Sequence, residues 1–442
     1  MEKRKYLGLE LGSTRIKAVV IDRDRGIDQT AEFGWENKLW ADLWTYDLGD
    51  ARDGIRATLQ KLDLSGLEAM GVSAMMHGYL AFDKDDKLLV PFRTWRNVNT
   101  ALAAQELSKL FDFNVPLRWS VAHLYQAILD GERHAKDVAF MTTLAGYVHW
   151  RLTGEKCLGV GDASGMFPVA GGQWNPEHVK KFANLTGLEW PSIAPAIKMA
   201  GEPAGNLTPA GAEFLGLSEP YPAIRFCPPE GDAGTGMVAT NSLSERGGNV
   251  SAGTSVFAMV VLEEPLRKAH PTVDVVTTPD GHDVAMVHFN ECSTRIDGWI
   301  NLFGEALALF GAEVPKDKLF GTLYEYALDP GQKPLAAFMR QRLTDAVSDL
   351  REGLMILTEE EGVRVDFLTG HGGYFKSGEA GRTVMSEALG IPIRLMAHSS
   401  EGGAWGMAVL ASFMVAKTSR PDDGLTLVDF VGSLFQPSGS KP

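Results

Sequence analysis

The chain has 442 residues, with 42 basic and 56 acidic side chains and a net charge of −14. Hydrophobic residues make up 45% and charged ones 22%, which excludes general disorder, because such a chain buries enough apolar surface to offset its ordering entropy. The acidic balance argues against a general nucleic-acid binder, which would show a basic stripe, but leaves room for an anion held by backbone N–H groups.

Taken in order, residues 6–11 (YLGLEL) and 16–21 (IKAVVI) predict two strands. Gly12, Ser13, Thr14 and Arg15 join them as a tight hairpin. A tryptophan-rich segment from Trp35 to Trp44 follows, then a helix over 51–62. Residues 68–75 (EAMGVSAM) predict a strand that runs into Met76, His77 and Gly78. From 100 to 200, short helical patterns alternate with breaks at Asn175-Pro176, Pro191 and Pro195. Residues 252–261 (AGTSVFAMVV) echo 11–20 (LGSTRIKAVV), with the two glycines 253 − 12 = 241 residues apart. That echo suggests a duplicated unit. Leu335, Phe338, Met339, Leu343, Val347, Leu350, Leu354 and Leu357 recur at helical spacing and predict one amphipathic helix over 335–357. A strand over 364–369, a Gly370-His371-Gly372-Gly373 turn and a helix over 379–389 come next. The Glu401-Gly402-Gly403 turn opens a last helix, from Ala404 to about Met414.

The three cysteines, Cys157, Cys227 and Cys292, are far apart, so neither a disulfide framework nor a zinc site is expected. The N-terminal segment lacks a signal-peptide apolar core and no run reaches the ~18 apolar residues of a membrane span, so a cytoplasmic location is the expectation.

Three groups of residues carry chemistry. Gly12-Ser13-Thr14 and Gly253-Thr254-Ser255 are turns whose N–H and hydroxyl donors converge, as phosphate binding requires, although either alone reads as an ordinary hairpin. Neither a Walker P-loop nor a GxGxxG fingerprint is present. Asp232 lies in Pro228-Pro229-Glu230-Gly231-Asp232-Ala233-Gly234-Thr235-Gly236, where small residues leave space around one carboxylate. A general base that takes a proton from a hydroxyl needs such a carboxylate, and a helix N-cap is the competing role. Met76, His77 and Gly78, with Trp95, Asn97 and Asn99, mix an aromatic, amides and an imidazole, which suits a sugar.

The ordered set LGLELGSTRIKAV, MMHG, Trp95 with its amides, GDAGTG, SAGTS, GHGGYFKSG and EGGAWGMAVLA resembles the FGGY carbohydrate kinases of the sugar kinase/Hsp70/actin superfamily. The resemblance covers nearly the whole chain and looks closest to the xylulokinase- and ribulokinase-like members. It implies an α/β fold of two RNase H-like (actin/Hsp70-type ATPase) domains, 1–243 and 244–442, with a nucleotide and sugar cleft between them. It implies ATP and Mg²⁺ as cofactors and transfer of the γ-phosphoryl group to a terminal hydroxyl of a ketopentose such as xylulose or ribulose. Asp232 falls at the family's catalytic base. Gly12, Ser13, Thr14 and Lys17 match the first phosphate motif, and Gly253, Thr254 and Ser255 the second. Gly372, Gly373 and Lys376 match the adenosine motif, with Glu401 and Ala404 near the purine. Met76, His77, Gly78, Trp95, Asn97 and Asp232 match sugar positions, and Glu10 and Asp232 the metal. A small-molecule sugar is the expected partner, with neither nucleic acid nor membrane, and a homodimer is the assembly to test.

The chain departs from the family at three places. Glu10 stands where related kinases carry Asp, Asn97 and Asn99 stand where they carry Asp and Arg, and the link from Tyr326 to Ala336 is short. A sugar-independent ATPase, or a nucleotide-gated sugar-binding regulator with the same fold, is therefore the alternative reading.

Overall fold

A computed structural model describes residues 4–253, 255–329, 331, 333–395 and 402–435. The described chain forms two compact units, one of residues 4–241, 276–282 and 402–435, the other of residues 242–275 and 283–395. This differs from the expected 1–243 and 244–442 division. The helix Gly402–Ser419 belongs to the first unit, because it packs along the strands Lys5–Leu11 and Leu67–Ala74 and the helix Asp232–Ala239.

In the first unit the expected hairpin forms. Strand Lys5–Leu11 pairs antiparallel with Arg15–Ile21, which pairs antiparallel with a third strand, Ile27–Gly34. On its other side Lys5–Leu11 runs parallel to Leu67–Ala74, which is itself parallel to Arg225–Phe226 and Glu230–Gly231. Side chains alternate along a strand. Leu7, Leu9 and Leu11 therefore enter one core with Ile16, Ala18, Val20, Ile55 and Val72. Gly8 and Glu10 take the opposite face, under the helix Gly402–Ser419, where a Cβ on Gly8 would lie 1.9 Å from the Ala404 carbonyl oxygen. The helix predicted over 51–62 spans Leu48–Leu59, capped by Asp47, which accepts from the N–H groups of Gly49 and Asp50.

The second unit repeats this plan. Strand Gly247–Ala252 pairs antiparallel with Val256–Val261, which pairs antiparallel with Asp283–Phe289. On its other side Gly247–Ala252 is parallel to Phe367–His371, followed by Ile393–Leu395. The matching strand order explains the echo between residues 11–20 and 252–261. The stripe over 335–357 packs into this unit's core through Met339, Leu343, Val347, Leu350, Leu354 and Leu357. It is not one helix, however. Helices Pro334–Asp345 and Ser348–Met355 are separated by Val347, whose φ of −119° and ψ of 10° leave the helical region, and a π-helical turn, Ile356–Glu360, ends the run. The helix Glu379–Leu389 falls where its periodicity placed it. Among the described residues no helix is long and apolar enough to cross a membrane.

Candidate active site

The first hairpin is held by two aromatic side chains. Trp35 and Tyr46 stack with centroids 4.2 Å apart. The Trp35 indole N–H donates to the Gly12 carbonyl (2.7 Å), and the Tyr46 hydroxyl donates to the Ser13 carbonyl (2.7 Å). The Trp35 backbone N–H donates to the Thr14 carbonyl (3.1 Å). All three carbonyls of the turn are thus engaged. Among the described residues, the N–H groups of Ser13 and Thr14 have no acceptor. A turn with its oxygens withdrawn and its donors open suits an anion.

Glu10 follows on the same strand. Its Oε2 accepts the Ala404 N–H (3.1 Å), and Lys17 lies opposite it in the strand register. Burial, and then the facing Asp232 charge, push its carboxyl up to about 7. A Cβ on Gly403 would lie 2.7 Å from both Glu10 Oε1 and the Thr235 hydroxyl, so only glycine lets the helix approach this closely. Ser73 and Thr235 share a hydrogen bond of 3.0 Å beneath it.

Asp232 opens the helix Asp232–Ala239. Its Oδ1 accepts the Met76 N–H (3.1 Å), which fixes the carboxyl at the end of strand Leu67–Ala74. Burial raises it to about 6, against the lowering effect of the N–H groups of Met76, Ala233 and its own residue. His77 is a non-glycine residue at φ 68°, a conformation that costs of order 1 kcal/mol or more and needs support from its surroundings. That support is a 3.0 Å hydrogen bond between Nδ1 and the Gly165 carbonyl, and ring stacking on Trp119. Gly78 at φ 88° follows, where a Cβ would lie 2.7 Å from the Phe92 ring.

Two further carboxylates belong to this cluster and were not among the sequence candidates. Asp162 is fully buried, and its Oδ2 accepts the Thr143 hydroxyl at 2.6 Å. Its Oδ1 has no hydrogen-bond partner among the described residues. Burial and the nearby Asp232 push this carboxyl up to about 7. Glu230 is buried too, and is held well above the usual carboxylate range by burial and by Asp162.

The structure therefore brings Glu10, Met76, His77, Asp232 and Ala404 together in the first unit, with Lys17 beside Glu10. Two residues expected at ligand positions are bonded within the protein. Asn97 is buried, and its side-chain N–H groups donate to the carbonyls of Trp44 (2.9 Å) and Thr94 (3.0 Å) while its oxygen accepts the Trp44 N–H (2.8 Å). This amide clips the Leu43–Thr45 strand in place and has no donor left for a sugar. Ala404 is fully buried, with its N–H donating to Glu10. Trp95 is partly buried against the first core.

In the second unit the Gly253 N–H donates to the Ser255 carbonyl (2.9 Å) and closes the second hairpin. Gly372, at φ 100°, lies against this hairpin's strand, where a Cβ would be 2.6 Å from the Ala252 carbonyl oxygen. The Gly253 turn and the Gly372–Gly373 turn are thus neighbours. Lys376 is exposed at the end of the 3₁₀ turn Gly373–Ser377. Thr254 and Glu401 lie outside the described residues.

Two sheets of one strand order, each opening on a glycine hairpin with small hydroxyl residues, define a duplicated α/β scaffold. The N-terminal domain model of the FGGY family of carbohydrate kinases matches residues 5–227, and the C-terminal domain model matches residues 328–415. The chain belongs to that family. It is 22% identical over 219 residues to a xylulose kinase of Haemophilus influenzae, covering 47% of this chain and 43% of that protein. It is 24% identical over 280 residues to a glycerol kinase of Thermococcus kodakarensis, covering 58% of this chain and 53% of that one. The chain thus matches about half the length of these curated relatives. Among solved structures, a protein described as a xyloylose kinase from Brucella ovis superposes with a TM-score of 0.79 at 18% identity, covering 97% of this chain and 92% of that one. At that identity the likeness speaks for the fold.

Proposed function

We propose that this chain is an ATP-dependent carbohydrate kinase that phosphorylates a terminal hydroxyl of a ketopentose such as xylulose or ribulose. The observation that carries the reading is Asp232, a carboxylate raised to about 6 by burial and held by the Met76 N–H. A base with its pKa just below neutrality is ionised at working pH and still accepts a proton effectively. The sugar hydroxyl gives its proton to Asp232 while its oxygen bonds the γ-phosphorus. The bond from that phosphorus to the bridging oxygen breaks, and ADP leaves. Phosphoryl transfer depends mostly on positioning and charge stabilisation, which the open donors of Ser13 and Thr14 supply on the phosphate side. His77 and Met76 border the sugar position.

Glu10 and Asp232 fit a divalent cation. The Asp232 charge raises the proton affinity of Glu10, and two facing carboxylates of this kind are the oxygen donors that Mg²⁺ prefers. Among the described residues no group of three or more ligating side chains is assembled, so water and phosphate oxygens would complete its shell. When bound, the ion neutralises phosphate charge.

Coupled ADP release over xylulose, ribulose, rhamnulose, fuculose and glycerol tests the reading. One sugar should stimulate turnover, and Asp232→Asn should lose roughly 10²–10⁴-fold of it while nucleotide still binds. With Asp232 as base, kcat/KM rises with pH through about 6. ADP release that no sugar stimulates would favour the sugar-independent ATPase, and sugar binding without turnover the regulator.

A further inference from the structure

The turn that carries Asp232 is clasped by a second segment, residues 159–162. The Gly159 N–H donates to the Pro229 carbonyl at 2.8 Å. The Asp162 N–H donates to Glu230 Oε2 at 2.9 Å, and the Gly161 N–H approaches Glu230 Oε1 at 3.4 Å. The Glu230 side chain, 1% exposed, fills a slot that exists only because both neighbours are glycine. A Cβ on Gly159 would lie 2.0 Å from Oε1, and one on Gly161 2.4 Å from Oε2. The clasp is anchored at its far end by the Thr143 hydroxyl, which donates to Asp162 Oδ2 at 2.6 Å. Between Glu230 and Asp232 sits Gly231, where a Cβ would be 2.1 Å from the Met76 side chain and 3.4 Å from Asp162 Oδ1. Residues 230–232 are therefore wedged between Met76 on one side and the 159–162 segment on the other.

We propose that Glu230 is a positioning residue for Asp232: its buried carboxylate, locked onto the Gly161 and Asp162 backbone, fixes the turn from which Asp232 reaches the sugar hydroxyl. This rests on Asp232 being the base. Glu230 itself touches no reacting atom. Its effect comes from shape and hydrogen bonding, so a neutral side chain of the same shape with one good acceptor oxygen performs the same task. Truncating the side chain, or pushing it out of its slot, lets Asp232 drift. A misplacement on the scale of 1 Å costs about 10²-fold in rate while substrate binding, which uses other groups, is kept.

The test is steady-state kinetics on the full chain with ATP and the most active sugar, corrected for the folded fraction measured by circular dichroism. Glu230→Ala should lower kcat by ~10–100-fold, with KM for ATP and sugar within about twofold. Glu230→Gln should stay within about threefold of wild type, and Gly161→Ala, which removes no polar group, should follow Glu230→Ala. Should Glu230→Ala fail to fold, Thr143→Val is read in its place: it should lower kcat by several-fold, and Thr143→Ser should restore it. A wild-type kcat per folded molecule in the truncated variant overturns the proposal. So does a loss in Glu230→Gln as deep as in Glu230→Ala, which would mean that charge and not position matters. The Asp232→Asn variant separates the two readings. If it is inactive while Glu230→Ala is normal, only the positioning role falls; if it turns over like wild type, the base assignment falls.

Discussion

Gly8 offers the sharpest mechanical test of how this fold is held together. Replacing it with alanine adds one methyl group, 1.9 Å from the Ala404 carbonyl oxygen and 2.5 Å from the Ala408 backbone nitrogen. Ordinary contact begins near 3.4 Å, so the helix Gly402–Ser419 must retreat by about 3.4 − 1.9 = 1.5 Å at this point. Both partners are backbone atoms inside regular elements, so no side chain can swing aside. Overpacking typically costs about 1–3 kcal/mol, and the rigidity here puts Gly8→Ala at the upper end. The retreat also breaks the Ala404 N–H bond to Glu10, a bond of about 1–2 kcal/mol to a carboxyl that is part-ionised near pH 7. These losses overlap, and the sum expected is roughly 3–5 kcal/mol. Gly236→Ala is the matched control. It lies inside the helix Asp232–Ala239, a Cβ there meets nothing within 4 Å, and alanine should stabilise by about 0.5–1 kcal/mol. Hydrogen exchange of the amides of residues 402–419, with urea unfolding of each variant, reads both effects. A Gly8→Ala loss below about 1 kcal/mol, with exchange in that helix unchanged, would refute the close-packing account.

Tyr46→Phe deletes the hydroxyl that holds the Ser13 carbonyl. It should cost about 1 kcal/mol of stability, and calorimetric ADP binding should weaken by several-fold; unaltered binding would detach the aromatic pair from the anion turn. Asp162 predicts a pH effect on stability. Its folded carboxyl at about 7, against an ordinary 3.8, means that the folded form holds the proton more tightly. Stability from this group is therefore full below about pH 4 and is lost as pH rises to about 7, with a ceiling near 4 kcal/mol. Asp162→Asn cannot ionise, so urea midpoints compared at pH 5 and pH 8 should fall less in the variant than in wild type. Equal falls would mean that Asp162 does not titrate in this window.

Much of the scaffold is legible in the residues. The hairpin over 6–21, the strand that leads to Met76 and the helix over 379–389 follow from apolar runs and glycine turns, because burial there is local and periodic. The strand Ile27–Gly34 has one buried side chain, Ala31, and so lacks the apolar run that marks its neighbours. The break near Val347 leaves no mark in the stripe, since both helices present the same face to the core. Asp232 announces itself by glycines and alanine around a carboxylate. The same signal surrounds Asp162 in Gly159-Val160-Gly161-Asp162-Ala163-Ser164-Gly165, yet its partner Glu230 is 68 residues away, and only the fold joins them. Asn97 illustrates the reverse case. A polar residue beside Trp95 suits a ligand, but its partner proves to be the backbone of Trp44, 53 residues earlier.

The Ala404–Glu10 bond joins residues 394 positions apart. A ribosome therefore delivers the first sheet long before the helix that covers Gly8 and steadies Glu10. Until residues 402–419 emerge, that face of the nascent sheet has no lid, and its acidic cluster lacks one of its hydrogen bonds. Contacts so remote along the chain form slowly and leave apolar surface open to aggregation meanwhile. A premature stop before residue 402 would yield a product with every strand of its first sheet and without the helix that covers Gly8, a substrate for chaperones and proteases.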